Sequence, residues 1–224
     1  MIAMLRKELR KLADPLKAIQ MQAYMKSAMP YHGVPAPLLK SLCKRLFAEH
    51  RFSTEADWRE SCLELWRDAR FREERYAAIE LTGYRLYSGW QTMRTLPMYE
   101  EMIVTGAWWD YVDAIASHRL GNLLKHYPAI MRAKMLQWSR SRDLWKRRSS
   151  ILCQLQFKRE TDLALLYACI EPSLDSREFF LQKAIGWALR QYAWMDPEEI
   201  RSYCATHELS KLSLREALKN DSKR

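Results

Sequence analysis

Residues 108–121, WWDYVDAIASHRLG, open on two indoles and carry carboxylates at Asp110 and Asp113, and their design returns three more times along the chain. FREERYAAIELTGY from Phe71, LWKRRSSILCQLQF from Leu144 and FFLQKAIGWALRQY from Phe179 share the aromatic start and the small or apolar centre. The four segments begin 37, 36 and 35 residues apart. Periods in this range, with one helical hairpin per unit, belong to solenoids of the HEAT and armadillo kind. Outside these segments the apolar residues still recur at three and four, as in Leu5-Leu9-Leu12, Leu39-Leu42-Leu46 and Leu163-Leu166-Ile170, which is the spacing of one helix face. Pro15, Pro35, Pro97, Pro128, Pro172 and Pro197 fall between such runs, where proline starts a helix or ends the previous one. About twelve helices of roughly ten to eighteen residues account for the pattern. The expected fold is therefore all-α: a HEAT-like α-solenoid of antiparallel helical hairpins, forming a curved superhelix with a basic concave face. One domain is expected over 1–224, with a disordered tail from about 219.

Composition narrows the chemistry. Six glycines, never clustered, provide no Gly-rich loop for a nucleotide phosphate, which argues against dinucleotide and P-loop folds. The five cysteines are far apart and form no C-x-x-C pair, so neither a disulfide framework nor a zinc site is expected. The histidines show no H-x-x-x-H or H-E-x-x-H spacing, and no metal or other cofactor is expected. The N-terminal MIAMLRKELRKLADP alternates charge with leucine and resembles no export signal, and no run approaches a membrane span. These features suit a monomeric cytoplasmic protein without membrane attachment. Thirty-seven Lys and Arg against twenty-seven Asp and Glu give a formal charge of +10, an excess that favours a polyanionic partner.

The repeat register gives the opening segment more weight. Trp109 and Asp113 lie one turn apart on one helix face, and Trp108 points about 100° away, towards whatever the helix packs on. Stepping 35 residues from Asp113 lands on Arg148 and then on Lys183, so these three are expected to line up on successive hairpins. One turn beyond Lys183 comes Trp187, then Arg190, a cationic stripe with an indole in its middle. Each piece has a simpler role open to it. Trp187 could be core, Asp113 a cap or ion-pair partner, and Arg147-Arg148 part of a solvated basic face. Trp58, Trp66, Trp90, Trp138, Trp145 and Trp194 recur with the apolar residues and are assigned to the core.

Longer matches go beyond a shared solenoid. The chain resembles the AlkD family of bacterial DNA glycosylases over nearly its whole length. The resemblance is densest in Trp108-Trp109-Asp110-x-Val112-Asp113 and in Arg148 with Ile151-Leu152-x-Gln154-Leu155. It continues through Phe179-Phe180-x-Gln182-Lys183-Ala184-Ile185-Gly186-Trp187-x-Leu189-Arg190-x-Tyr192-Ala193 and Leu212-Ser213-x-Arg215-Glu216-Ala217. Tyr24-Met25-Lys26 matches the family's N-terminal segment. The resemblance implies a glycosylase of base excision repair that hydrolyses the N-glycosidic bond of cationic N3- or N7-alkylated purines in double-stranded DNA, without a closed base-flipping pocket. Trp109, Trp187 and Asp113 would form the catalytic cluster. Arg148 and Arg190 would hold the DNA backbone, with Lys183, Tyr24, Arg147 and Arg215 as further candidates for DNA contact.

That chemistry is physically coherent. A cationic purine leaves as a neutral base, so the task is to stabilise the sugar cation left behind, which is oxocarbenium-like. A carboxylate near the anomeric carbon and electron-rich indole faces both do this. The chain departs from the family pattern in two places: Pro35 follows Gly33-Val34 where relatives carry a glutamine, and Gln156 stands at a lysine position. A non-catalytic DNA-binding paralogue and a HEAT protein-interaction scaffold remain as alternatives.

Overall fold

The computed structural model describes residues 1–220, and the residues 221–224 of the expected tail lie outside the described part. Lys219 and Asn220 close the described chain as a turn. Among the described residues all regular structure is helical, fourteen α-helices and no strand. The helices are more numerous and shorter than their sequence pattern suggests, several of them having fewer than ten residues. Among the described residues no helix is long and apolar enough to cross a membrane. The chain divides between Met98 and Tyr99 into two compact units.

The first unit holds α1 (Ile2–Lys11), α2 (Pro15–Met25), α3 (Ala36–Glu49), α4 (Glu55–Arg67) and α5 (Arg72–Thr82). Alternate helices pack side by side, α1 on α3 and α3 on α5, while α4 lies against α5. Leu5, Leu9, Leu39, Leu42, Leu46, Trp58 and Trp66 supply the buried faces. The helix starts follow local chemistry. Asp14 accepts the amides of Leu16 and Lys17 ahead of Pro15, and Thr54 accepts that of Asp57, satisfying donors that have no intrahelical partner. Between α2 and α3 the chain bends at Gly33, whose φ is +84° and whose absent Cβ would lie 2.1 Å from the Asp14 carbonyl oxygen. Only glycine fits there. The bend turns three successive amides, of His32, Gly33 and Val34, onto the carboxylate of Glu73 at 3.0, 2.8 and 3.0 Å.

Helix α6 (Leu96–Gly106) begins within the first unit and continues into the second. The second unit then builds a row from α7 (Trp109–Ala114), α10 (Leu144–Leu152), α12 (Phe179–Tyr192) and α14 (Lys211–Ala217), in which α7 packs on α10, α10 on α12 and α12 on α14. Helices α8 (Gly121–His126), α9 (Pro128–Ser139), α11 (Leu163–Ile170) and α13 (Pro197–Thr206) provide the outer contacts, α9 against both α10 and α11. Stacking like elements so that each buries its neighbour's apolar face is the construction of a solenoid. The four segments of the sequence repeat start α5, α7, α10 and α12, so the period read from the aromatic residues corresponds to real helix starts. Two residues placed on apolar faces by spacing are exposed instead: Leu12 is 40% and Trp194 53% accessible. Both stand just past the last residue of their helices, α1 and α12, where helical spacing no longer dictates direction.

Candidate active site

Helix α7 begins under local constraint. Ala107 sits in the left-handed region, at φ 44°, and Trp108 is extended before the first helical turn. A left-handed non-glycine residue costs about 1–2 kcal/mol, so the packing beyond it must hold the turn in place. That packing is an aromatic cluster: the Trp108 ring lies 5.4 Å from Phe180 and 6.3 Å from Trp145, which are themselves 5.1 Å apart. With Trp108 committed to the cluster, Trp109 faces another way. Its indole is half-buried and stacks on no other ring among the described residues.

One turn after Trp109, Asp113 is buried against Arg148 of α10. Arg148 Nε donates to one carboxylate oxygen at 2.7 Å and Nη2 to the other at 2.8 Å, while Nη1 donates to the Phe180 carbonyl of α12. The fork, donating to both oxygens, requires the ionised carboxylate. Burial lifts the Asp113 carboxyl above its ordinary value; the Arg148 bonds and charge pull it down, and Asp110 adds a smaller upward push. Beyond Asp113 the helix widens into a π-helical stretch, Ile115–Leu120, before resuming as α8. Ser117 donates to the Asp113 carbonyl at 2.6 Å as this stretch begins. Such π turns inside helices recur at functional sites.

Arg148 was expected to hold the DNA backbone, and the structure assigns its charge elsewhere. Its side chain is 5% accessible, and Nε, Nη1 and Nη2 all have partners inside the protein. The repeat itself explains this. Equivalent positions on neighbouring helices of the row face one another, so a cation one repeat after a carboxylate pairs with it. Arg147 is also engaged, donating to Ser173 Oγ at 3.1 and 2.9 Å and to the Pro172 carbonyl at 2.8 Å. It fastens α10 to the turn after α11 and is no free cation.

Lys183 and Arg190 do share a face of α12, with the half-buried Trp187 between them. Trp187, like Trp109, stacks on no described ring. Both cations meet Glu216 of α14, Lys183 Nζ at 2.9 Å on one oxygen and Arg190 Nη1 at 2.6 Å on the other. Two cations on one carboxylate hold Glu216 far below the usual glutamate range, at about 2. Arg215, next to Glu216, is exposed and makes no ion pair among the described residues. Tyr24, on α2 of the first unit, is 78% accessible. Pro35 caps α3, and Gln156 is exposed in the turn after α10.

The sequence reading did not single out Phe180 as the acceptor that anchors Arg148, nor Glu216 as the hub of the second ion cluster. Glu216 does lie in the Leu212-Ser213-x-Arg215-Glu216-Ala217 motif, and a step of 34 residues from Lys183 lands beside it, on Ala217. Cavities of about 480 Å³, lined by Lys125, Phe157 and Asp162 among others, and about 220 Å³, lined by Tyr24, Tyr31 and Tyr76 among others, include none of Trp109, Asp113 and Trp187. Among the described residues no group of three or more His, Cys, Asp or Glu is placed to hold a metal ion.

Fold and site together define an all-helical repeat protein with a buried carboxylate–arginine pair beside an unstacked indole and cations on the following helices. The chain belongs to the DNA alkylation repair enzyme family, whose model matches residues 5–220. It is similar in structure to a predicted DNA alkylation repair enzyme from Enterococcus faecalis, with 28% identity, a TM-score of 0.84, and 95% of this chain and 98% of the other covered. A comparison with curated proteins returns no match. The protein thus has a role in the repair of alkylated DNA, with DNA as its partner.

Proposed function

We propose that the protein is a monofunctional DNA glycosylase that releases cationic N3- and N7-alkylated purines from duplex DNA by hydrolysis. The observation that carries this reading is Asp113: a carboxylate kept ionised by an arginine fork while buried on the helix face that also bears the unstacked Trp109. The C1′–N bond breaks with its electron pair going to the base, which leaves neutral. The deoxyribose carries the positive charge. Asp113 stabilises that cation electrostatically, Trp109 and Trp187 offer π faces to its edge, and a water oxygen closes the C1′–O bond as its proton passes to the carboxylate or to solvent. Because the lesion is already cationic, no strong general acid is required, and selectivity arises from the lability of the lesion and the deformability of the duplex that carries it.

A second reading, DNA binding without chemistry, is favoured by one observation: Arg148 satisfies both Asp113 oxygens, as a purely structural pair would. Base release decides between them. The wild-type protein on methylated duplex is expected to release 3-methyladenine and 7-methylguanine above the spontaneous rate. Asp113→Asn is expected to bind the duplex but lose roughly a hundredfold in rate, on the order of 3 kcal/mol in the barrier. Release no faster than spontaneous depurination, or full activity in Asp113→Asn, overturns the proposal.

A further inference from the structure

Arg148 and Arg190 are tethered in the same way and differ at one edge. Each sends Nη1 to a main-chain carbonyl of the next helix in the row, Arg148 to Phe180 and Arg190 to Glu216 at 3.3 Å. On Arg148 the Nε–Nη2 edge is filled by the two oxygens of Asp113. On Arg190 no described residue occupies that edge, because the Glu216 carboxylate grips Nη1 alone. The other Glu216 oxygen takes Lys183 Nζ, which uses one of the three donors of the ammonium. The side chains of Lys183 and Arg190 remain 37% and 21% accessible, against 11% for Glu216. One carboxylate between two cations leaves a net positive charge, with its acid component tucked beneath.

Glu216 cannot withdraw easily from this position. Helix α14 lies against α12 at Gly186, where a Cβ would come 2.5 Å from the Glu216 Cβ and 2.7 Å from the Ser213 carbonyl oxygen. Ser213 Oγ donates to the Gln182 carbonyl at 3.0 Å, fixing the same contact from the other side. Gly186 thus lets α14 approach closely enough for one carboxylate to reach cations seven residues apart, on either side of Trp187.

We propose that Glu216 is a positioning residue that sets the open edge of Arg190 and the ammonium of Lys183 as a two-cation clamp for a single phosphodiester of the DNA backbone. The Nε–Nη2 edge matches two phosphate oxygens, as it matches the two oxygens of Asp113. Ordering the guanidinium in advance removes part of the side-chain entropy cost that binding would otherwise carry. The clamp rests on duplex DNA being the partner and does not depend on base release.

The test uses methylated duplexes carrying one neutral methylphosphonate at each backbone position in turn, with affinities measured by fluorescence anisotropy for the wild type, Arg190→Lys, Glu216→Gln and Glu216→Asp. For the wild type one position is expected to cost about tenfold in affinity, the scale of a charge-assisted hydrogen bond. That position-specific penalty is expected to vanish in Arg190→Lys and Glu216→Gln and to return in part in Glu216→Asp, which a merely structural role for Glu216 would not produce. Retention of the penalty in Glu216→Gln overturns the clamp. So does uniformly tighter binding with a steeper salt dependence, which would make Glu216 a competitor of phosphate. If the penalty pattern holds while no base is released, the glycosylase reading fails and the clamp stands; if base is released and no position carries a penalty, the clamp alone fails.

Discussion

Glu73 in the first unit and Asp113 in the second are both buried carboxylates, at 0% and 9% accessibility, yet their surroundings set them to opposite tasks. Glu73 is held by the main-chain amides of His32, Gly33 and Val34, neutral donors fixed by a left-handed bend that only glycine can make. Asp113 is held by one charged side chain from a neighbouring helix. Burial of an acid is therefore no sign of a site by itself. What matters is whether its partners are backbone, which ties a loop down, or a single ionised group, which keeps the carboxylate charged and tunable. The presence of Trp109 on the face of Asp113 adds a group that packing has left unused.

The contrast can be broken most severely at Glu73. Glu73→Ala strands three buried amides at once, and with charge-assisted bonds of this kind the loss is expected at about 3–5 kcal/mol. Urea unfolding would show it as a lower midpoint with the slope unchanged. A loss below about 1 kcal/mol would mean that water replaces the carboxylate and that the bend is held by Gly33 and the Asp14 contact instead.

Arg148→Met comes next. It leaves the Asp113 carboxylate without its fork and the Phe180 carbonyl without its donor, a loss of about 3 kcal/mol in unfolding free energy. The Asp113 carboxylate left behind can take up a proton. Its folded-state carboxyl already stands above the ordinary value through burial, so the folded protein binds that proton before the unfolded chain does. Stability from this source is present at low pH and is lost as pH rises through the folded value. The deficit of Arg148→Met should therefore be larger at pH 8 than at pH 5, whereas that of Glu73→Ala, which comes from stranded amides, should not follow the Asp113 titration. Equal deficits at both pH values in Arg148→Met would show that the carboxylate finds another partner.

How much of this could be read from the sequence follows from how local each cause is. Helix starts are legible because aromatic residues and prolines mark them within a few positions, and the repeat register is legible because equivalent positions meet on neighbouring helices. The register aligned Asp113 with Arg148 on successive hairpins, but alignment does not tell a shared surface from a direct bond, and the distance of 2.7 Å decided that. The Glu73 cradle was hidden because its donors are backbone amides about forty residues away, which have no sequence signature apart from one glycine. Glu216 was hidden because its reach depends on the closeness of α12 and α14 at Gly186. Trp194 and Leu12 misled because spacing was carried past a helix end. The π-helical turn after Asp113 left no mark in the apolar pattern, since one residue's worth of extra turn is smaller than the scatter of that pattern.

The finest distinction between the two carboxylates is catalytic. If the ionised form of Asp113 stabilises the sugar cation, base release must fall as pH drops through its folded value, and burial sets that value above the ordinary aspartate figure of about 3.9. Single-turnover release from methylated duplex, corrected for spontaneous depurination at each pH, should therefore show an acid limb displaced upward from that figure. The bonds and charge of Arg148 act downward on the same group, so replacing Arg148 by methionine must move the limb further up and must not merely lower the plateau. A limb that stays in place in Arg148→Met would assign it to some other group and remove Asp113 from the reaction. A limb that shifts upward would make the arginine what the geometry suggests, the group that keeps a buried acid charged so that it can face a cation.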